Sequence, residues 1–189
     1  MSRLPELLET PRLLLRVPEP GDAEPLNAAI TASFAELTQW MPWAAEQPSV
    51  AQTGAFCAEA RENWESDLRY GLIMVEKDGG AIVGGSGYPN IDWSVPKFEI
   101  GYWCRTSIVG RGYASEATRA LARLAFDEMD AVRVELRMDD GNRGSWRVAE
   151  RMGFELEGVL RGDSRSNSGS LCSTRIYSLV DPTRLRDVG

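Results

Sequence analysis

The segment of this 189-residue chain with the clearest chemical potential is a glycine-rich turn at residues 109–114, Val-Gly-Arg-Gly-Tyr-Ala. The sequence around it predicts a strand that ends near residue 104 and a helix that begins at Gly112. The free N–H groups at the start of such a helix, together with its positive dipole end, form an anion site. Arg111 would add a direct charge contact. The turn matches neither GxxxxGK[ST] nor GxGxxG, so a tight turn without a ligand explains it equally well.

The absence of histidine excludes several kinds of catalytic site. With no histidine in the sequence, the chain holds no Ser-His-Asp or Cys-His nucleophile system, no HExxH zinc site and no histidine general base. Its three cysteines, Cys57, Cys104 and Cys172, form no CxxC pair. Zinc-ribbon, thioredoxin and disulfide-framework interpretations therefore fail, and we expect no metal and no thiolate role.

The charge of the chain argues against nucleic acid as its partner. The formal net charge is −7, and residues 1–96 hold 14 acidic but only 6 basic residues, whereas residues 97–165 hold 12 of each. This separation is explained either by a solvated surface or by a cation-attracting face beside an anion site. The sequence shows no apolar run of bilayer length and no signal peptide, so we expect a cytoplasmic protein that makes no membrane contact.

The elements that must position these residues follow from apolar periodicity and turn signals. Strands are predicted at 12–17, 70–76, 81–88, 97–104, 132–138, 154–160 and 171–180. Helices are predicted at 22–34, 49–66, 112–128 and 145–152. Residues 40–43 read as an irregular aromatic loop and 162–170 as a polar, mobile loop. Val50, Cys57 and Trp64 are spaced as the buried stripe of the second helix. Without a linker or repeat, residues 1–189 are predicted to form a single domain with a core of about 8–180.

Several segments together resemble one enzyme family. The glycine-rich turn resembles the pyrophosphate-binding motif R/Q-x-x-G-x-G/A of the GCN5-related N-acetyltransferases (GNAT). Residues 9–16 (ETPRLLLR), 40–43 (WMPW), 99–103 (EIGYW) and 142–154 follow in the order seen in the RimJ/RimL-type, ribosomal-protein-alanine N-acetyltransferase-like branch. The resemblance implies the GNAT acyl-CoA N-acyltransferase fold. This is an α+β fold whose central mixed, mostly antiparallel sheet is flanked by helices.

Acetyl-CoA is the co-substrate that the resemblance implies. In the family, the strand equivalent to residues 100–103 splays from its neighbour and binds the pantetheine arm, and the glycine-rich turn receives the pyrophosphate. The implied acetyl-CoA contacts are Ile100, Gly101, Tyr102, Trp103, Val109, Gly110, Arg111, Gly112, Tyr113, Ala114 and Asn142. Val109 stands where the motif usually has Gln or Arg, which should weaken binding without abolishing it.

The resemblance also suggests the catalytic residues. The tyrosine that many members place before Gly-Phe is missing, so Ser145 becomes the candidate donor of a proton to the thiolate. Capping of the short helix 145–152 is a second, compatible role for this serine. Glu99 is the candidate base, although a surface or dimer-contact role would also explain it. RimL-like sequences place a glutamate base before the last strand, where this chain offers only Asp163.

The expected acceptor is a primary amine. Trp40, Trp43 and Tyr88 are predicted to line its opening, although packing would also explain the two tryptophans. An α-amino group with a pKa near 7.8 is about one-seventh neutral at pH 7, against about 1 in 2,500 for a lysine near 10.4. With no strong base, the α-amine of a protein or peptide is favoured. A small amine (antibiotic, polyamine or amino-acid conjugate) and a non-catalytic CoA-binding regulator are the alternatives, and a homodimer is possible.

Overall fold

One eight-stranded sheet organises the fold. The computed structural model of the chain describes residues 4–187. The strands are β1 Leu7–Glu9, β2 Leu13–Arg16, β3 Tyr70–Glu76, β4 Ile82–Asp92, β5 Lys97–Cys104, β6 Arg133–Asp139, β7 Glu155–Arg165 and β8 Leu171–Leu179. Their order in the sheet is β1-β2-β3-β4-β5-β6-β8-β7. All neighbours are antiparallel except β5 and β6, so the predicted mixed, mostly antiparallel sheet is confirmed.

Among residues 4–187, five α-helices cover the two faces of this sheet. They are α1 Ala23–Thr31, α2 Phe34–Trp40, α3 Val50–Glu65, α4 Tyr113–Glu128 and α5 Arg143–Met152. Because side chains alternate along a strand, β3 contributes side chains to two separate cores, one on each face of the sheet. Leu72 and Met74 pack with α4 and α5, whereas Ile73 and Val75 pack with α1, α2 and part of α3. No helix among residues 4–187 is long and apolar enough to cross a membrane.

The helices before residue 66 differ from the prediction. The helix expected at 22–34 ends at Thr31, because the chain turns at Ala32 and Ser33, and a second helix, α2, then begins at Phe34. Trp40 consequently ends a helix instead of lying in an irregular loop, and Pro42–Ala44 forms a 3-10 turn. The stripe prediction was wrong for Val50, which is exposed as the first residue of α3 directly after the Ser49 cap.

The polar segment predicted as a loop at 162–170 is partly a strand. Ser164 pairs with Cys172 and Arg165 with Leu171, so β7 and β8 form a long hairpin. An irregularity in the register between Leu160 and Ser164, where Gly162 has a φ of 63°, accommodates the polar residues without ending the pairing. A bulge of this kind inserts residues and bends the strand. The loop itself is therefore limited to residues 166–170.

Candidate active site

The sheet opens between its two parallel strands. β5 pairs with β6 only from Lys97–Glu99 to Arg133–Glu135, and the strands diverge beyond Glu99. On its other edge β5 remains paired with β4 as far as Cys104, although a bulge interrupts that pairing between Gly87 and Asn90. Residues 100–103 are thus paired on one edge only, as predicted for this segment. Their backbone groups on the open edge are available for a ligand.

A cleft of about 820 Å³ occupies this opening and continues beneath α2 and α3. Its lining is mostly apolar. The predicted site residues that line it are Trp40, Trp43, Glu99, Ile100, Gly101, Tyr102, Trp103, Asn142 and Ser145. The structure therefore brings the predicted catalytic pair, the predicted pantetheine strand and both predicted acceptor tryptophans to one cavity.

The glycine-rich turn lies outside this cleft, at the start of α4. Gly110 and Gly112 have φ angles of 88° and 85°, which only glycine adopts at little cost. The Glu116 N–H donates to Gly112 O and makes the first bond of the helix, while the Arg111 N–H already donates to Ile108 O, so the amides of residues 112–115 are those that helices leave without an intrahelical partner. The Val109 side chain is 69% exposed and leaves the turn open. The sequence analysis predicts that these amides bind the pyrophosphate and that the open edge of β5 binds the pantetheine arm, and both assignments stay predictions.

Ser145 lies in the first turn of α5, facing β5. The cap of α5 is Asn142, whose Oδ1 accepts a hydrogen bond from the Ser145 N–H at 3.1 Å. The suggestion that Ser145 caps this helix was therefore wrong, because the chain enters the helix three residues earlier. The Ser145 Oγ lies 2.9 Å from the Tyr102 hydroxyl. Burial raises the pKa of Tyr102, and the hydrogen bond with Ser145 offsets only part of that rise, so the phenol stays protonated.

Glu99 stands where β5 leaves β6 and lines two cavities. One is the main cleft; the other, of about 310 Å³, is polar and also contains Asn90, Glu135 and Arg137. Burial raises the pKa of Glu99, although the Asn90 Nδ2, which donates to Glu99 Oε2 at 2.8 Å, opposes the rise. A carboxylate with a raised pKa accepts a proton more readily. Asp163, by contrast, pairs with Arg137 at 3.5 Å.

Comparison with known proteins decides the family. The model of the acetyltransferase (GNAT) domain family matches residues 12–155. The chain belongs to the GNAT family. This acetyltransferase is 33% identical over 153 residues to the putative ribosomal N-acetyltransferase YdaF of Bacillus subtilis strain 168, covering 79% of this chain and 81% of that protein. The enzyme is accordingly an acetyl-CoA-dependent N-acetyltransferase, and the predicted α+β acyltransferase fold is confirmed.

Solved structures agree with this assignment. The microcin C7 self immunity acetyltransferase MccE, in complex with acetyl-CoA and AMP, has a TM-score of 0.85 and 25% identity, covering 90% of this acetyltransferase and 93% of that chain. RimL, a ribosomal L7/L12 alpha-N-protein acetyltransferase in complex with coenzyme A, has a TM-score of 0.87 and 21% identity, covering 94% of this chain and 99% of that chain. The similarity to RimL concerns the fold alone.

One predicted acceptor contact of this acetyltransferase is wrong. Tyr88 is fully buried, and its hydroxyl donates to Leu121 O in α4 at 2.6 Å. Its ring packs at an angle against Phe98, with 5.2 Å between the ring centroids. Tyr88 pairs with Tyr70 in the regular register of β3 and β4, and both residues belong to the core on the α4 side of the sheet.

Two further features of the acceptor side were missed by the sequence analysis. Phe56 lines the cleft and is 48% exposed, although it directly precedes the buried Cys57 in α3. Asn167, in the loop between β7 and β8, donates from Nδ2 to Thr38 O at 2.9 Å and to Met41 O at 3.0 Å. These bonds tie the hairpin loop to the end of α2 and bridge one side of the cleft. A long-range contact of this kind leaves no local pattern in the sequence.

Proposed function

We propose that this enzyme transfers the acetyl group of acetyl-CoA to the α-amine at the N-terminus of a protein or peptide. The observation that carries the proposal is the bridged acceptor side of the cleft, where Asn167 connects the β7–β8 hairpin to α2. A cleft closed along one side favours a chain end over a lysine flanked by chain in both directions. The relative YdaF, which is named a putative ribosomal N-acetyltransferase, supports a protein acceptor.

Apolar surface supports the same acceptor. Trp40 and Trp43 are 38% and 49% exposed, so their rings offer apolar contact area to the residues that follow the amine. An α-amine also requires a weaker base than a lysine, and the only base that we propose is Glu99.

The proposed chemistry uses two side chains of the cleft. Acetyl-CoA supplies an acetyl thioester. Glu99 takes a proton from the ammonium group, directly or through water, and the nitrogen attacks the thioester carbonyl, so that the C–N bond forms as the C–S bond breaks. The Tyr102 and Ser145 hydroxyls lie 2.9 Å apart and either can donate; in the proposed step Ser145 gives its proton to the departing sulfur and regains one from the acetylated nitrogen. The open edge of β5 at residues 100–103 holds the pantetheine arm, and the turn at Gly110–Gly112 receives the pyrophosphate.

Thiol release with a panel of acceptors tests the proposal. The panel contains peptides beginning with Ala, Ser or Met, their Nα-blocked counterparts that carry an internal lysine, and spermidine. We expect release with free N-termini and none with the blocked peptides. Strong activity with blocked lysine peptides or spermidine, beside none with free N-termini, would contradict it.

A matched pair of serine variants tests the proton donor. Ser145→Ala should lower kcat by about 10²-fold or more, the effect typical of a general acid, and leave the Kd of acetyl-CoA unchanged. Ser164→Ala is the control, because Ser164 also lines the cleft but lies on its β7 rim. Equal activity of the Ser145 variant and the wild type would remove the acid role.

A small amine is the second candidate acceptor. MccE is 25% identical to this chain, and its solved structure holds AMP beside acetyl-CoA. The exposed rings of Trp40, Trp43 and Phe56 in this cleft are suited to stacking on a planar group. An amine-bearing nucleoside therefore joins the acceptor panel, and its selective acetylation would favour this candidate over the protein N-terminus.

A further inference from the structure

Two sequence motifs far apart in the chain meet at the start of α4. Thr10 and Arg12 belong to the segment 9–16, and Glu116 belongs to the first turn of α4. The Thr10 hydroxyl donates to Glu116 Oε1 at 2.6 Å, and the Arg12 backbone N–H donates to the same oxygen at 2.8 Å. The Arg12 Nε donates to Glu116 Oε2 at 2.6 Å. Both oxygens of a buried carboxylate are thereby bound to the segment before β2.

Arg12 also contacts the glycine-rich turn itself. Its Nη1 donates to Arg111 O at 2.9 Å. A Cβ placed on Gly112 would lie 3.3 Å from Arg12 Nη2, so the guanidinium packs closely against that glycine. The guanidinium carbon also stands 4.6 Å from the centroid of the Tyr113 ring. Arg12 thus touches three consecutive residues of the turn and is fixed by Glu116 behind them.

The charge state of Glu116 suits this arrangement. Burial alone would raise the pKa of Glu116, but the hydrogen bonds from Thr10 and Arg12 outweigh burial and lower it. The carboxylate is therefore ionised near the start of α4, where we propose that the pyrophosphate binds. An unpaired buried carboxylate costs stability and would also repel a phosphate. Arg12 neutralises it, and its Nη1 also satisfies the Arg111 carbonyl within the turn.

We infer that Arg12 and Glu116 are positioning residues that hold the Gly110–Gly112 turn in the shape that receives the pyrophosphate of acetyl-CoA. The inference rests on the proposed position of the pyrophosphate and adds the contacts that hold the Gly110–Gly112 turn in its shape. Neither side chain needs to touch the co-substrate. Thr10 completes the device through its hydrogen bond to Glu116.

The test compares two acetyl donors. Acetyl-CoA carries the pyrophosphate, whereas S-acetylpantetheine ends before it. For Arg12→Met and Glu116→Gln we expect the KM for acetyl-CoA to rise about tenfold, equivalent to about 1.4 kcal/mol, with kcat unchanged. The KM for S-acetylpantetheine should stay at the wild-type value. A purely structural role would affect both donors alike and leave the ratio of the two KM values unchanged.

A matched ion pair on the same strand provides the control. Arg16, at the other end of β2, donates twice to Asp22, each bond at 2.7 Å. Asp22→Asn should lower the melting temperature without changing the ratio of the two KM values, because this pair lies away from the turn. Should Glu116→Gln fail to fold, Arg12→Met decides, since the Arg12 side chain is 44% exposed. A folded Arg12→Met with an unchanged ratio overturns the inference.

A third variant tests the proposed pyrophosphate position separately from the positioning role of Arg12 and Glu116. Gly110 has a φ of 88°, and a Cβ there would meet nothing within 4 Å, so Gly110→Val strains the backbone of the turn without a side-chain clash. If it leaves the KM for acetyl-CoA unchanged, the proposed pyrophosphate position is wrong, and the positioning role is refuted with it. If it raises the KM for acetyl-CoA while Arg12→Met does not, the proposed pyrophosphate position is supported and the positioning role of Arg12 is refuted.

Discussion

Replacing Tyr88 by phenylalanine tests whether this residue belongs to the core or to the acceptor cleft. The hydroxyl is fully buried and donates to Leu121 O at 2.6 Å, while the ring contacts with Phe98 and Tyr70 need no oxygen. Phenylalanine therefore keeps the packing and removes one buried hydrogen bond. The net contribution of such a bond to the free energy of unfolding is about 1 kcal/mol.

That loss corresponds to a measurable change in melting temperature. For a chain of this length, about 1 kcal/mol lowers the melting temperature by about 2–4 °C. Thermal unfolding followed by circular dichroism measures the shift, and thiol release measures kcat and the KM for the acceptor. We expect Tyr88→Phe to be less stable than the wild type, with both kinetic constants unchanged.

The opposite pattern is expected at Trp43, which provides the control. Trp43 is 49% exposed and lines the cleft, so Trp43→Ala should raise the KM for the acceptor while the melting temperature changes little. If Tyr88→Phe instead raised the KM for the acceptor at an unchanged melting temperature, Tyr88 would face the acceptor. The placement of Tyr88 in the core on the α4 side of the sheet would then be refuted.

Three further predictions concern hydroxyl and carboxyl groups of the enzyme. Tyr102→Phe removes the partner of Ser145 Oγ and should lower kcat by about tenfold, since a hydrogen bond of about 1.4 kcal/mol corresponds to that factor; steady-state kinetics at saturating acetyl-CoA measures it. Glu99→Gln should remove the acidic limb from the pH profile of kcat/KM, a limb that lies above pH 4.5 in the wild type because burial raises the pKa of Glu99. Hydrogen bonds from Arg133 lower the pKa of Glu157 to about 2. The stability from this pair is therefore full above the unfolded pKa of about 4.5 and is lost as the pH falls towards 2. Because Glu157 is 44% exposed, Glu157→Gln should lower the free energy of unfolding by at most about 1 kcal/mol at pH 7 and not at pH 2, as measured by urea unfolding. An equal loss at both pH values would contradict this.

Local pattern was enough to predict much of this fold. The hairpin of β3 and β4 follows from two apolar runs separated by Lys-Asp-Gly-Gly, and the amphipathic face of α4 follows from Ala117, Leu121 and Leu124, all buried. The linked motifs predicted that Ser145 of α5 and residues 99–103 of β5 would lie together, and the structure places them along one cleft.

Features that depend on contacts between distant residues could not be predicted. The break between α1 and α2 coincides with a hydrogen bond from the Thr106 N–H to the buried Ser33 Oγ, a partner 73 residues away. Tyr88 faces α4 because it pairs with Tyr70 on β3, and which strand residue it pairs with is not readable from its own neighbours in the sequence. The bond between Arg12 and Glu116 spans 104 residues, so neither residue shows its role in its own neighbourhood.

The two openings at Glu99 have a consequence for how the enzyme resets between turnovers. One opening is the acceptor cleft, and the other is the polar cavity with Asn90 and Arg137. In the proposed chemistry Glu99 takes the proton of the amine, and that proton then has a route to solvent through the polar cavity while the acetylated product still fills the cleft. The proton and the acetylated product then leave through different openings, so a tightly bound product does not keep Glu99 protonated.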